Sequence, residues 1–264
     1  MQRSMNELER PPLEPPGLTG MGPILVAIDG DEAVATAFSR ARQLAELAHG
    51  AFGADGAWPL EVVIGDDVAS FARVARDREA GVVVAGRVHH GVVTRALHGE
   101  MPLELVRTAQ VPVLAVPAAM TQLPRIAVVA VGDGTAGLRA ASVAHFLLAN
   151  AVEIHLVHVR APTAALHERE RREENEDHEA AIQRGFDVVR HAWDLPAAVT
   201  VTSHVLFGRP VAELLRYAGE VGADLLVAGL PTHPHGMPHR GLALRLFHES
   251  PLAMLLVPVE QRGS

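Results

Sequence analysis

Two apolar patterns alternate along the chain. Short unbroken runs, Ile24–Ile28, Val82–Ala85, Val111–Pro117, Ile126–Val131 and Leu252–Pro258, are bounded by glycine, proline or charge. Runs of that kind are expected of strands buried on both faces of a parallel sheet. Between them lie segments with helical spacing. Ala33, Ala37, Ala41, Leu44 and Leu47 stripe a helix predicted over about 32–48, closed by Gly50. Val211, Leu214, Leu215 and Ala218 stripe another, with Pro210 in its first turn, where a missing amide costs nothing. That helix sits between a strand ending at the turn glycine Gly208 and a strand, Asp224–Gly229, introduced by Gly222. Further helices are predicted over about 101–108, from Thr135 to about Asn150, and over about 164–193, with a strand at Glu153–Val159. The middle of the long helix, His167–Glu179, is almost free of apolar residues and reads as a solvated surface, with Glu168 and Arg172 placed to pair at i, i+4.

The strand–turn–helix–strand unit occurs twice without a gap, at a constant offset of 143 (208 − 65 and 229 − 86). Val62/Val205, Val68/Val211, Ala69/Ala212, Arg73/Arg216, Ala75/Ala218 and Val84/Val227 are identical pairs at that offset. A period this long marks a duplicated domain, since solenoid units repeat every ~20–50 residues. The first strands are offset by only 102 (126 − 24). The first half is therefore 41 residues shorter, about the length of the Glu153–Trp193 strand and helix. Four strands are expected in the first half and five in the second. The domains are 23–117 and 125–259, joined by a linker at 118–124 and preceded by a Pro/Glu/Gly-rich tail, 1–22, expected to be disordered. Alternating strands and helices give an α/β fold with helices on both faces of a parallel sheet and right-handed crossovers.

Composition narrows the function. With 264 residues, a net charge of −8 and 4% aromatics, the chain lacks the basic face and stacking surface of a nucleic-acid binder. No cysteine is present, so disulfides, thiolate metal sites and cysteine nucleophiles are excluded. No apolar run reaches the ~20 residues of a membrane span, and no signal peptide opens the chain; a cytoplasmic location is expected. P-loop, dinucleotide-binding and nucleophile-elbow motifs are all absent.

What remains is a resemblance. Ile24–Gly30, the Val-x-x-Gly … Gly-Ala-Asp-Leu-Leu-Val-x-Gly unit and the ending Val111–Pro117 resemble the universal stress protein family, present twice over about 23–117 and 125–258. The resemblance implies two flavodoxin-like (adenine nucleotide alpha hydrolase-like) sandwiches in tandem, paired within the chain as a pseudo-dimer, with a homodimer open. One branch of the family binds ATP through an aspartate after the first strand and a G-x2-G-x9-G-[ST] loop. Carried over, Asp29 with Gly30, Gly86 and Gly99 match in the first copy, but His89 replaces the second glycine and Glu100 the hydroxyl residue. In the second copy Val131 replaces the aspartate, Gly229 is kept, and Thr232 stands at the second glycine. Neither site is complete.

The nucleotide-binding candidates are thus Asp29, Gly30, Gly86, His89, Gly99 and Gly229. No catalytic residue and no metal ligand is assigned, and ATP is the one cofactor in view. Loop histidines 89, 90 and 98 with 233, 235 and 239 would meet only if the two loops approach each other. His155 and His158, three apart on a strand, face opposite sides. The preferred expectation is a non-catalytic, stress-associated regulatory protein with degenerate nucleotide sites. The alternative is an ATP-binding, slowly hydrolysing switch built on the first loop. Protein partners are not specified by the sequence.

Overall fold

A computed structural model of the chain describes residues 22–29, 60–65, 67–87, 101–117, 119–122, 124–132, 153–160, 168–192, 199–231 and 241–259. The expected tail, the helix at 32–48 and the segment 135–150 lie outside them. The first half supplies strands β1 (Ile24–Asp29), β2 (Leu60–Gly65), β3 (Val82–Arg87) and β4 (Val113–Pro117), with helices α1 (Val68–Asp77) and α2 (Met101–Ala109). The second supplies β5 (Ile126–Ala130), β6 (Glu153–Arg160), β7 (Thr200–Phe207), β8 (Leu225–Pro231) and β9 (Ala253–Val259). Its described helices are α3 (Glu168–Ala192), α4 (Pro210–Glu220) and α5 (Leu242–Glu249).

All nine described strands form one sheet in the order β2-β1-β3-β4-β9-β8-β5-β6-β7. Within each half the pairs are parallel, and the halves meet at β4 and β9, which run antiparallel with Ala115 opposite Met254. Each sheet face carries one apolar cluster containing residues of both halves. On one face lie α1, α2, α4 and α5, through Phe71, Leu103, Leu214 and Phe247 among others. On the other lies α3, whose Ile182, Phe186 and Val189 keep the i, i+4, i+7 spacing that its charged N-terminal part lacks.

The repeat does not map simply onto space. By sequence β2 aligns with β7, yet β2 pairs directly with β1, with Val26 opposite Val62, where β6 pairs with β5 in the second half. The difference shows at the identical pair Val62 and Val205. Val205 is half-buried on the face covered by α3, while Val62 and Ile64 are 46% and 62% exposed on the corresponding face of β2.

Local chemistry fixes the turns. Asp67 caps α1 by accepting from the Ser70 amide and hydroxyl, both at 2.8 Å, which holds its carboxyl below the usual carboxylate range. Gly222 ends α4 at φ +64°. The repeated turn glycines differ: Gly208 has φ +146°, whereas Gly65 completes strand β2. A Cβ at Gly208 would stand 2.7 Å from Glu213 Cγ.

Among the described residues, the Arg87 side chain makes polar contacts between the halves. Strand β3 continues past the loop glycine Gly86 to Arg87, which is 3% exposed. Its guanidinium donates to Leu252 O at 3.1 Å and to Phe247 O, and stacks 4.4 Å from the Phe247 ring centroid. Phe247 O is among the last carbonyls of α5, which lack helical amide partners, so a cation from the first half caps a helix of the second. Burial pushes the Arg87 pKa down to about 10, leaving it charged at neutral pH.

Two outcomes follow. Arg87→Met strands two buried carbonyls and should lower stability by about 2–4 kcal/mol, read as a reduced urea midpoint. Gly208→Ala should cost about 1–2 kcal/mol, most of it backbone strain.

Candidate functional site

In open parallel sheets ligands bind beyond the C-terminal strand ends. This sheet has two such edges, and because β4 and β9 are antiparallel they lie at opposite ends of the strands. The strands that feed the two histidine-bearing loops therefore end far apart, on opposite edges. The loop histidines themselves lie outside the described residues.

At the first edge, Asp29 ends β1 opposite Gly65 of β2. The last ladder pair of β1 and β3 is Ala27 with Ala85, so Asp29 and Gly86 lie within two residues of it on one edge. Gly86 in turn opposes Val116 of β4. The backbone thus brings Asp29, Gly65 and Gly86 together. The side chain of Asp29 and residues Gly30, His89 and Gly99 lie outside what is described.

At the second edge, Val131 follows β5 and is 6% exposed. Its amide donates to Val157 O at 2.9 Å, and its carbonyl lies 2.9 Å from Nδ1 of His158, itself 3% exposed. A carbonyl accepts only, so Nδ1 carries the hydrogen. Both backbone groups of Val131 are engaged within the fold. Gly229 lies inside β8 rather than at its end, opposite Val257, and the strand continues to Pro231.

A third location is the linker. It covers a pocket of about 340 Å³ bordered by Met120, Arg125, Asp224 and Leu252. Oxygen Oδ2 of Asp224 accepts from the Arg125 and Ile126 amides at 2.9 and 3.1 Å, tying the start of β5 to the loop before β8. That carboxylate serves the fold.

Sequence reasoning passed over a polar cluster beneath α4. His155, as expected, faces away from His158: its Nδ1 lies 3.0 Å from the hydroxyl of Tyr217, the one tyrosine of the chain. Thr202 and His204 of β7 join it. The period-2 spacing of Thr202 and His204 on β7 was the available signal, but nothing in it named the α4 residue above. Among the described residues no group of three metal-ligating side chains converges, and no described helix is long and apolar enough to cross a membrane.

Comparison with known proteins agrees with this architecture. Residues 124–248 match the model of the Universal stress protein family. No curated protein matches the chain. Among solved structures, a Pseudomonas aeruginosa protein described as a candidate universal stress protein is 14% identical with a TM-score of 0.63, covering 91% of this chain and 94% of that one. A functionally unknown Pseudomonas aeruginosa protein is 15% identical with a TM-score of 0.60, covering 91% and 93%. A universal stress protein from Archaeoglobus fulgidus is 15% identical with a TM-score of 0.52, covering 90% and 87%. At these identities the likeness is one of fold. The match to the family model thus falls in the second half of the chain, and the mixed α/β parallel-sheet fold is like that of universal stress protein structures.

Replacing His158 with Phe leaves the buried Val131 carbonyl without its partner. It should cost about 1–3 kcal/mol, seen as a lower urea midpoint at unchanged slope.

Proposed function

We propose that the chain is a tandem universal stress protein whose first copy lacks one strand–helix unit, and that it acts as a non-catalytic regulatory protein with degenerate nucleotide sites. The tandem reading is supported by the strand orders. The second half runs 3-2-1-4-5 in its own numbering, and the first runs the same way with one strand fewer.

The observation that carries the functional reading is the second edge. A nucleotide site of the ATP-binding branch needs a carboxylate after the first strand. Here that place is held by buried Val131, whose amide and carbonyl are engaged by Val157 and His158. An apolar side chain there offers no hydrogen-bond acceptor to a ribose or adenine. The first edge keeps Asp29, but β2 takes the flank that β6 holds in the complete half.

A second reading, an ATP-binding switch in the first half, is favoured by the shared edge of Asp29 and Gly86. Mass spectrometry of small molecules released from denatured, freshly purified protein, followed by calorimetric titration with ATP, separates the two. The degenerate-site reading expects no adenine nucleotide and no heat of binding. Bound nucleotide, or micromolar affinity abolished by Asp29→Ala, would establish the switch instead.

A further inference from the structure

Beneath α4 four side chains from three elements form a continuous line of contacts. Tyr217 Oη and Thr202 Oγ1 each lie 3.0 Å from His155 Nδ1, and Thr202 Oγ1 lies 3.0 Å from His204 Nε2. The two imidazole centroids are 5.6 Å apart, and the His204 ring is 4.9 Å from that of Tyr217. His155 is 7% exposed; its Nε2 is 3.4 Å from Glu153 Oε2 but out of hydrogen-bonding line. The charged groups of α4 are Glu213, Arg216 and Glu220, and Arg216 bonds both glutamates, while Arg160 of β6 lies 4.0 Å from Glu179 of α3 on the other face of the sheet.

The geometry allows one hydrogen-bond order at a time. A ring nitrogen has either one lone pair or one hydrogen, so Nδ1 of His155 cannot serve two hydroxyls at once. With both imidazoles neutral, the hydrogen of His155 on Nε2 and that of His204 on Nδ1, Tyr217 donates to His155 Nδ1 while Thr202 donates to the bare His204 Nε2. The His155 hydrogen on Nε2 faces Glu153. A proton added to His204 Nε2 turns that atom into a donor toward Thr202 Oγ1. The threonine hydrogen is then free to turn to His155 Nδ1, where it competes with Tyr217 for the one lone pair. Among the described residues the Tyr217 hydroxyl is the side-chain hydrogen-bonding group that links α4 to β6, so one proton weakens the hold of that helix on the sheet while its apolar face stays packed.

We infer that the His155–Thr202–His204–Tyr217 cluster is a proton-operated latch, holding α4 and strand β7 onto β6 at neutral pH and loosening that hold in mild acid. Burial first, and the neighbouring His155 second, hold the His204 pKa below its ordinary 6.5. The folded state therefore favours neutral His204, and opening exposes a ring that titrates near 6.5. Protection falls as pH drops through that value and levels off below the depressed folded pKa. The change stays local, because β7 is the outermost of the described strands.

Hydrogen-exchange mass spectrometry of the full chain at about pH 7.5 and about pH 5.5, corrected for intrinsic exchange, tests this. Peptides over β7 and α4 should lose protection on the order of three- to tenfold in acid, with β4 and β9 unchanged. In His204→Asn that loss should vanish. Equal loss in wild type and His204→Asn, no loss at β7 and α4, or loss spread evenly along the chain would each overturn the latch. Independently of any variant, NMR titration of the wild-type histidine rings should show one midpoint below 6.5 that reports on Tyr217; a His204 midpoint at or above that value would overturn it too.

Discussion

The antiparallel pairing of β4 with β9 is the contact on which the molecule depends. A parallel α/β half ends in a buried last strand with one open side, and an open edge of that kind invites aggregation. Here each half closes the other's edge. The ladder through Val113–Ala115 and Met254–Leu256 turns two short sheets into one and makes both apolar faces continuous across the chain. The Arg87 guanidinium works on the same junction, joining the end of β3 to the end of α5 and the loop before β9.

The same pairing governs where chemistry can occur. Opposed strand directions send the C-terminal ends of the described strands of the two halves to opposite edges of the sheet. One has a carboxylate-bearing strand end but a displaced flank; the other has an intact flank but an apolar residue, Val131, whose backbone is already bonded. In the first half β2 lies directly beside β1, and its Val62 and Ile64 face solvent.

The strands were legible because buried parallel strands are continuous apolar runs, and Pro210 and Gly222 punctuated α4 for local steric reasons. Three things were not legible, and all depend on partners distant in sequence. The partner of β2 could not be read from Val62–Ile64, since a strand pattern names its buried face and not its neighbour. The burial of Arg87 could not be read because the Phe247 and Leu252 carbonyls that draw it inward lie 160 and 165 positions away. His155 and His204 were placed on strands, but their link through Thr202 and Tyr217 required the register of β6 with β7 and the angle of α4.

If one sheet unites the halves, the junction should be the last part of the molecule to open. Native-state hydrogen exchange in increasing urea measures this directly. Amides of β4 and β9 should exchange together, at the free energy of global unfolding, and among the slowest in the chain. Exchange of β4 and β9 at separate, lower free energies, with each half retaining its own protected core, would contradict the account and make the halves independent units merely tied by a linker.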